Sequence, residues 1–421
     1  EGLSISSIVI GRHRFLFPIH LIIFAIGGWW LYKNTRGLES FRRMFNIISI
    51  VLLIIPIVRI GLFESKRSRS TFPENITASS DAIQPLTSIG NSPDVYYIIL
   101  DSYSRQDMLL QYYDLDISGF VNQLETMGFY VVPCSQSNYG VTDLSLTTSL
   151  NLDYIQDVIP VDVENQSGWI SLGEPIRHSL VRQMLTGLGY KTVAFETGVW
   201  WSEIQDADYF YKKSNQGIGF TSNFWQPNEF EILFIRTTIL RVVDEMGKAW
   251  LGDFFQAPER GHYEYVLYTL DELKNVPDIP GKKFIFVHLM APHAPFVFSP
   301  DGDFVFSETA DPGFPNEIVF LNSQLIPLVQ SIIENSSVPP IIILQSDHGL
   351  DNEVRLANFI AIHFPSPAES SLYPTLTPVN IFRLVFNEYF GQNFPLLPDA
   401  SYQSTYDNYY DFTEVTYPCN P

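Results

Sequence analysis

Two kinds of apolar run divide this chain. The first kind is long: residues 15–32, "FLFPIHLIIFAIGGWWLY", and 44–63, "MFNIISIVLLIIPIVRIGLF", are each long and apolar enough to span a bilayer as a helix. Trp29, Trp30 and Tyr32 close the first run in the manner of an interfacial aromatic belt. His20 and Arg59 are single polar interruptions, and Arg59 can extend its side chain toward the interface. The second kind is short. "DVYYIIL" (94–100), "KTVAFE" (191–196), "KKFIFVHL" (282–289) and "PPIIILQ" (339–345) have strand length and the near-continuous apolar character of buried parallel strands. Between them, "SGFVNQLETMGF" (118–129) and "SLVRQMLTGLGY" (179–190) carry helical spacing and end at Gly. "TPVNIFRLVFNEYFG" (377–391) predicts a helix capped by Thr377, opened by Pro378 and closed by Gly391. Strands alternating with helices predict an α/β fold, with a mostly parallel sheet covered by helices on both faces and two transmembrane helices before it. Polar "STFPENITASSDAIQPLTSIGNSP" reads as a linker. The expected organisation is a membrane region over 1–69, a linker over 70–93 and one large domain over 94–421.

Charge sharpens this division. Residues 1–70 carry a net charge of +7, which leaves −28 on residues 71–421 of a chain whose total is −21. So acidic a domain repels nucleic acid, whose backbone calls for a dense basic face. It can still take an anionic substrate where a metal or a local cation overrides the general field. Lys33, Arg36, Arg42 and Arg43 lie between the two long runs and place that loop in the cytoplasm, hence the large domain outside it. Cys134 and Cys419 are the two cysteines of the chain, and neither sits in a CxxC pair. Outside the cytoplasm they can form a disulfide; two separate thiols are the other reading.

In an open α/β sheet, ligands bind beyond the carboxyl ends of the strands. Three runs deliver chemistry there: "VYYIILDSYS" ends on Asp101, "FIFVHLMAPHAPF" reaches His288 and then His293, and "PPIIILQSDHG" ends on Asp347 and His348. Asp and His together make an oxygen and nitrogen donor set suited to Zn²⁺ or Mn²⁺. "SNYGVTDLSLTTSLN" (137–151) turns from loop to helix near Thr142, where free backbone N–H groups favour an anion or alkoxide. Thr142 is therefore either a nucleophile or an ordinary N-cap, with Ser145 as the next hydroxyl along. Gly349, behind the Asp-His pair, suits a sharp backbone turn. Trp200, in "GVWWSEI", could line a headgroup or glycerol pocket, and Arg355 and His363 could meet a substrate oxyanion.

The order Asp101, "NYGVTDLSLTTSLN", "HLMAPHAPF", "SDHG" resembles the alkaline phosphatase superfamily over about residues 94–415. More closely, it is similar to the membrane-anchored branch containing lipoteichoic acid synthases, phosphoethanolamine transferases and sulfatase-like hydrolases. The resemblance implies a catalytic domain over 94–421, with Asp101, Thr142, Asp347 and His348 as ligands of one divalent ion, Zn²⁺ or Mn²⁺ before Mg²⁺ or Ca²⁺. It implies Thr142 as a nucleophile that becomes phosphorylated, and His293 as the group that meets the transferred phosphoryl or protonates the leaving oxygen. His288 matches a further substrate-side histidine. It also implies envelope lipid or glycan substrates at the cytoplasmic membrane. Asp101 stands where the synthases and transferases have Glu, which loosens the tie to their substrates. "CSQSN" (134–138) lacks the Pro and Arg of the formylglycine motif, against a formylglycine sulfatase. A sulfuric ester hydrolase and a non-catalytic envelope-binding protein are the alternatives.

Overall fold

In the computed structural model, the described residues are 4–5, 8–9, 13–33, 38–67, 92–159, 172–213, 257–307, 309–349, 354–365, 371–404, 409–416 and 419. Nearly all of the expected linker, residues 70–91, lies outside them. The chain divides into two compact units, residues 1–71 with 215–260 and residues 72–214 with 261–421.

The first unit contains helices α1 (His13–Lys33) and α2 (Leu38–Arg67), on which the spans expected at 15–32 and 44–63 fall. Their apolar side chains face outward, with Phe24 at 73 % exposure and Leu52 at 64 %. Among the described residues no helix is long and apolar enough to cross a membrane. Arg42, Arg43 and Arg59 fall within the described run of α2. Membrane anchoring therefore rests on the amino-acid sequence.

The second unit is built on a sheet of seven strands. They are β1 (Val95–Leu100), β2 (Phe129–Val131), β3 (Lys191–Phe195), β4 (Tyr209–Tyr211), β5 (Lys283–Leu289), β8 (Ile341–Gln345) and β9 (Ile360–His363), with β6 (Phe296–Phe298) and β7 (Phe304–Ser307) pairing apart from the sheet. The order across the sheet is β2-β9-β8-β1-β5-β3-β4. The run from β8 to β4 is parallel throughout, and β9 adds an antiparallel turn at one side. The four strands read from the sequence are its centre. They are apolar on both faces because both faces are covered. Tyr96, Ile98, Leu100, Ile285, Val287 and Leu344 pack into one core. Val95, Tyr97, Ile99, Phe284, Phe286 and Ile343 pack into the other.

Helices accompany the strands: α3 (Gln106–Tyr113), α4 (Ser118–Thr126), α5 (Thr142–Asn151), α6 (Leu180–Gly187) and α7 (Ala257–Glu272). Two more follow, α8 (Ala310–Asn335) and α9 (Pro378–Phe390). Helix α9 begins and ends where its sequence predicts, with Pro378 in the first turn and Gly391 in the left-handed region at φ 67°; Thr377 holds the N-cap position without a side-chain capping bond, its hydroxyl donating to Asp399 Oδ1. Cys134 and Cys419 form a disulfide, with Cα atoms 5.5 Å apart, tying the end of the chain beside the loop before α5.

Candidate metal centre and active site

Register places the first three candidate ligands. Gln345 on β8 pairs with Ile99 on β1. Asp347 and Asp101, each two residues further on, leave the sheet side by side at its carboxyl edge. The Asp101 N–H donates to the Leu289 carbonyl, continuing the ladder by one bond. Ser102 then takes a left-handed backbone at φ 68°. For a residue with a Cβ this costs roughly 1–2 kcal/mol. What it achieves is specific: the Ser102 N–H donates to Asp347 Oδ1 at 2.9 Å, while Ser102 Oγ donates to Asp101 Oδ1 at 2.9 Å. One strained residue orients both carboxylates, and nothing in the sequence pattern singles it out.

Asp101, Asp347 and His348 are all buried, and their ligating atoms lie within 4.8 Å of one another. His348 Nδ1 faces the Gly349 carbonyl at 2.9 Å, which makes Nδ1 the protonated nitrogen and leaves the Nε2 lone pair for the site. Nε2 lies 3.2 Å from Asp347 Oδ2. That carboxylate oxygen is buried and has no hydrogen-bond partner. A buried anionic oxygen without a donor is costly. With the Asp101 carboxylate, it is what a divalent cation would satisfy, so the residues fit a metal. Two carboxylates, one imidazole and one hydroxyl are a donor set for Zn²⁺ or Mn²⁺. Burial opposes ionisation of Asp101. The hydrogen bond from His288 leads the opposing influences and, with the neighbouring histidines, holds the carboxyl well below its ordinary range.

Thr142 Oγ1 completes the set, 3.4 Å from His348 Nε2. Thr142 is not the N-cap; Val141 is, with no side-chain capping bond, and Thr142 is the first helical residue of α5. The hydroxyls that follow anchor the helix. Ser145 Oγ donates to the Asp347 carbonyl at 2.8 Å, and Gln345 Nε2 donates to Ser149 Oγ at 3.3 Å. Ser145 is fully buried in this structural role. Asp143 is held by Tyr409, whose hydroxyl donates to it. Burial pushes the Asp143 carboxyl up, against the pull of that bond and of backbone N–H groups.

The histidines of β5 separate into two roles. His288 pairs with Ile99, one rung inside the edge, because β5 continues through Leu289. It is fully buried. Nε2 lies 3.1 Å from Asp101 Oδ2, Nδ1 lies 3.2 Å from Ser202 Oγ, and Trp201 packs against the ring at 5.9 Å. The substrate contact expected for His288 does not fit this geometry, since both nitrogens are engaged within the core. His293 lies beyond the strand, partly exposed, with Nδ1 2.6 Å from the Ala294 carbonyl. The segment after it is fixed by α8. Gly313 leaves room for the Phe296 ring, Phe298 stacks on Phe320 at 4.1 Å, and Glu317 Oε1 accepts from the Val297 N–H at 2.5 Å. Burial pushes the Glu317 carboxyl up to about 8.

Arg355 reaches the site from the other side. Its Nη2 is 2.9 Å from His348 Nε2, and its Nε donates to the Gly140 carbonyl. Trp200 is 61 % exposed, with the Arg177 guanidinium 6.0 Å from its ring. His363 pairs with Ile342 at the opposite end of the sheet and its Nδ1 meets the Pro340 carbonyl, so it takes no part. Gly349 has an ordinary φ. Its role is close approach: a Cβ there would run into the Ala357 carbonyl oxygen and Ser104 Oγ. Cys134, in its disulfide, is closed to conversion into an aldehyde nucleophile.

No family model matches this chain, and no curated protein matches it. Among solved structures, it is similar to the C-terminal periplasmic domain of EptC from Escherichia coli in complex with Zn, at 13 % identity and a TM-score of 0.47, over 80 % of this chain and 96 % of that one. It is similar to a protein of the alkaline phosphatase superfamily from Vibrio parahaemolyticus at 11 % identity and a TM-score of 0.47, over 85 % and 82 %. It is also similar to the lipoteichoic acid synthase LtaP from Listeria monocytogenes at 10 % identity and a TM-score of 0.43, over 72 % and 75 %.

Proposed function

We propose that this protein is a membrane-tethered, metal-dependent phosphoryl hydrolase or transferase. Its site faces the outside of the cytoplasmic membrane, and its substrates are phosphodiesters or phosphomonoesters of envelope lipids or glycans. The observation that carries this reading is the convergence of Asp101, Thr142, Asp347 and His348 around a buried carboxylate oxygen that lacks any donor. These four residues would hold one divalent ion, Zn²⁺ or Mn²⁺. Such an ion, when bound, neutralises phosphoryl oxygens and eases loss of the proton from a nearby hydroxyl.

The chain's own residues supply the rest. Thr142 stands at the entrance of α5, where the positive end of the helix dipole favours developing negative charge. Thr142 Oγ1 gives up its proton to solvent and bonds to phosphorus as the bond to the leaving oxygen breaks. The leaving oxygen keeps the electron pair and takes a proton from His293. Arg355 lies beside His348 and offers a fixed cation to the phosphoryl oxygens. His288 orients Asp101 and stays out of the chemistry. Water or an acceptor hydroxyl then displaces Thr142 from the phosphoryl group. Trp200, exposed beside Arg177, would lie along the headgroup or glycerol part of the substrate.

The test uses the full chain in detergent. Bound metal is quantified, and a phosphodiester, a phosphomonoester and a sulfate ester are assayed side by side. Metal-dependent turnover of a phosphate ester, lost in Thr142→Ala while metal is retained, is the expected result. Full activity in Thr142→Ala, or turnover of the sulfate ester alone, contradicts the assignment.

A further inference from the structure

His288 holds Asp101 through one ring nitrogen, and its other nitrogen leads away from the site into a line of buried hydroxyls. Nε2 lies 3.1 Å from Asp101 Oδ2, and Nδ1 lies 3.2 Å from Ser202 Oγ. Ser202 Oγ lies in turn 3.0 Å from Thr197 Oγ1, which accepts the Val199 N–H at 3.1 Å. Asp101, His288, Ser202 and Thr197 are all buried. Donors and acceptors along this line run in one sense. A metal-binding Asp101 is a carboxylate and can only accept, so His288 Nε2 carries the proton. In a neutral ring Nδ1 is then an acceptor, and Ser202 Oγ is the hydroxyl that donates to it. The Val199 carbonyl lies 3.2 Å from Ser202 Oγ and 3.0 Å from Thr197 Oγ1. It is already met by the Ser202 N–H at 3.0 Å, which leaves both hydroxyl protons for the line. Ser202 Oγ therefore accepts from Thr197 as it donates to His288.

We propose that Ser202 and Thr197 are positioning residues of the metal centre, acting through His288 to fix the Asp101 carboxylate. The proposal rests on the metal reading above and deepens it, by adding two residues that touch neither the ion nor the substrate. Asp101 is held at both oxygens: Ser102 Oγ donates to Oδ1 at 2.9 Å, and the line ends on Oδ2. An imidazole can swing about its bond to Cβ unless both nitrogens are engaged, so Nε2 is aimed only as well as Nδ1 is held. Hydrogen bonds in a buried chain polarise one another, and each donor strengthens the next. The far end is anchored in backbone. Thr197 lies two residues past the end of β3, and Gly198, in the left-handed region at φ 74°, turns the chain so that the Val199 N–H meets the Thr197 hydroxyl. The same turn packs Trp201 against the His288 ring, 5.9 Å between centroids. The line orients a ligand and transfers no proton.

The experiment is competition titration of Zn²⁺ against a chelator, on the full chain in detergent, with the two hydroxyls removed singly and together. Ser202→Ala is expected to weaken Zn²⁺ binding about 10-fold, and Thr197→Val, which keeps the shape and loses the hydroxyl, about 3-fold. Thr197→Ser, which keeps the hydroxyl, is expected to bind within about twofold of wild type. Thr197 acts only through Ser202, so the variant with both Thr197→Val and Ser202→Ala is expected to match Ser202→Ala alone, whereas independent packing losses would multiply to roughly 30-fold. Wild-type protein labelled with ¹⁵N-histidine reports the His288 tautomer without any change at the hydroxyls, with His288→Phe identifying its signals. A protonated Nε2 and a bare Nδ1 are expected. A multiplied loss in the double variant, a wild-type Zn²⁺ affinity in Ser202→Ala, or a protonated Nδ1 overturns the assignment. If wild type binds no Zn²⁺, or binds it no more tightly than Asp347→Ala does, the metal reading falls and the assignment with it. If Asp347→Ala weakens binding and Ser202→Ala does not, only the role of Ser202 and Thr197 falls.

Discussion

The tips of β8 and β5 differ instructively. Both strands are continuous apolar runs that end in histidines at one edge of the same sheet. At the β8 tip, Asp347 and His348 lie past the last paired residue; Asp347 Oδ2 has no hydrogen-bond partner and lies 3.2 Å from His348 Nε2, which Arg355 Nη2 meets at 2.9 Å. At the β5 tip, the first histidine, His288, is still paired with β1, sealed in the core with both nitrogens used. The second, His293, lies on a partly exposed segment that α8 holds from beneath. His288 shares the rung of Ile99 and Gln345, whereas His348 lies three residues past that rung on the β8 side. The β8 tip gathers buried, incompletely partnered donors, and the β5 tip divides between a buried, fully bonded histidine and a partly exposed one.

The largest effect that can break this comparison is at Thr142. Thr142→Ala is expected to lower turnover about 10⁴-fold or more, with bound metal retained by Asp101, Asp347 and His348, as metal analysis and steady-state kinetics will show. Glu317 tests the support beneath β5. Its carboxyl titrates near 8 in the folded chain against an ordinary value of 4.5, so the folded state binds the proton more tightly between those values. Its contribution to stability is therefore fully present below about pH 4.5 and is lost as pH rises through about 8. Glu317→Gln should remove that loss, about 2–4 kcal/mol by pH 9, in denaturant titrations across the range. His288→Phe removes the brace while filling the space; metal affinity should fall about 10- to 100-fold by competition titration, although no ligand is touched. The smallest effect is at Trp200. Trp200→Ala should change stability by under about 0.5 kcal/mol, and should raise KM for a lipid-linked ester in preference to lowering kcat.

The sheet was largely legible because its central strands are buried on both faces and carry long apolar runs. Helix α9 was legible because Thr377, Pro378 and Gly391 mark its ends in local chemistry. The short strands β2, β4 and β9 were not, since strands of three or four residues have too little pattern to separate from loop. Asp101, Thr142, Asp347 and His348 could be gathered from strand ends and a helix entrance. His288 was placed one rung too far out, because an apolar run shows where a strand is and does not show its last paired residue. Ser102 was invisible for a different reason. Its role comes from a left-handed backbone, which leaves no periodic trace in the sequence.

The central claim is that Thr142 carries the phosphoryl group. The most direct measurement is acid quench of the metal-loaded enzyme during turnover of a phosphate ester, followed by mass spectrometry of the peptide containing residues 137–151. The account predicts one added phosphoryl group on Thr142, dependent on the metal and absent from Asp347→Ala. Turnover with an unmodified Thr142, or with the phosphoryl group on another side chain, would contradict it.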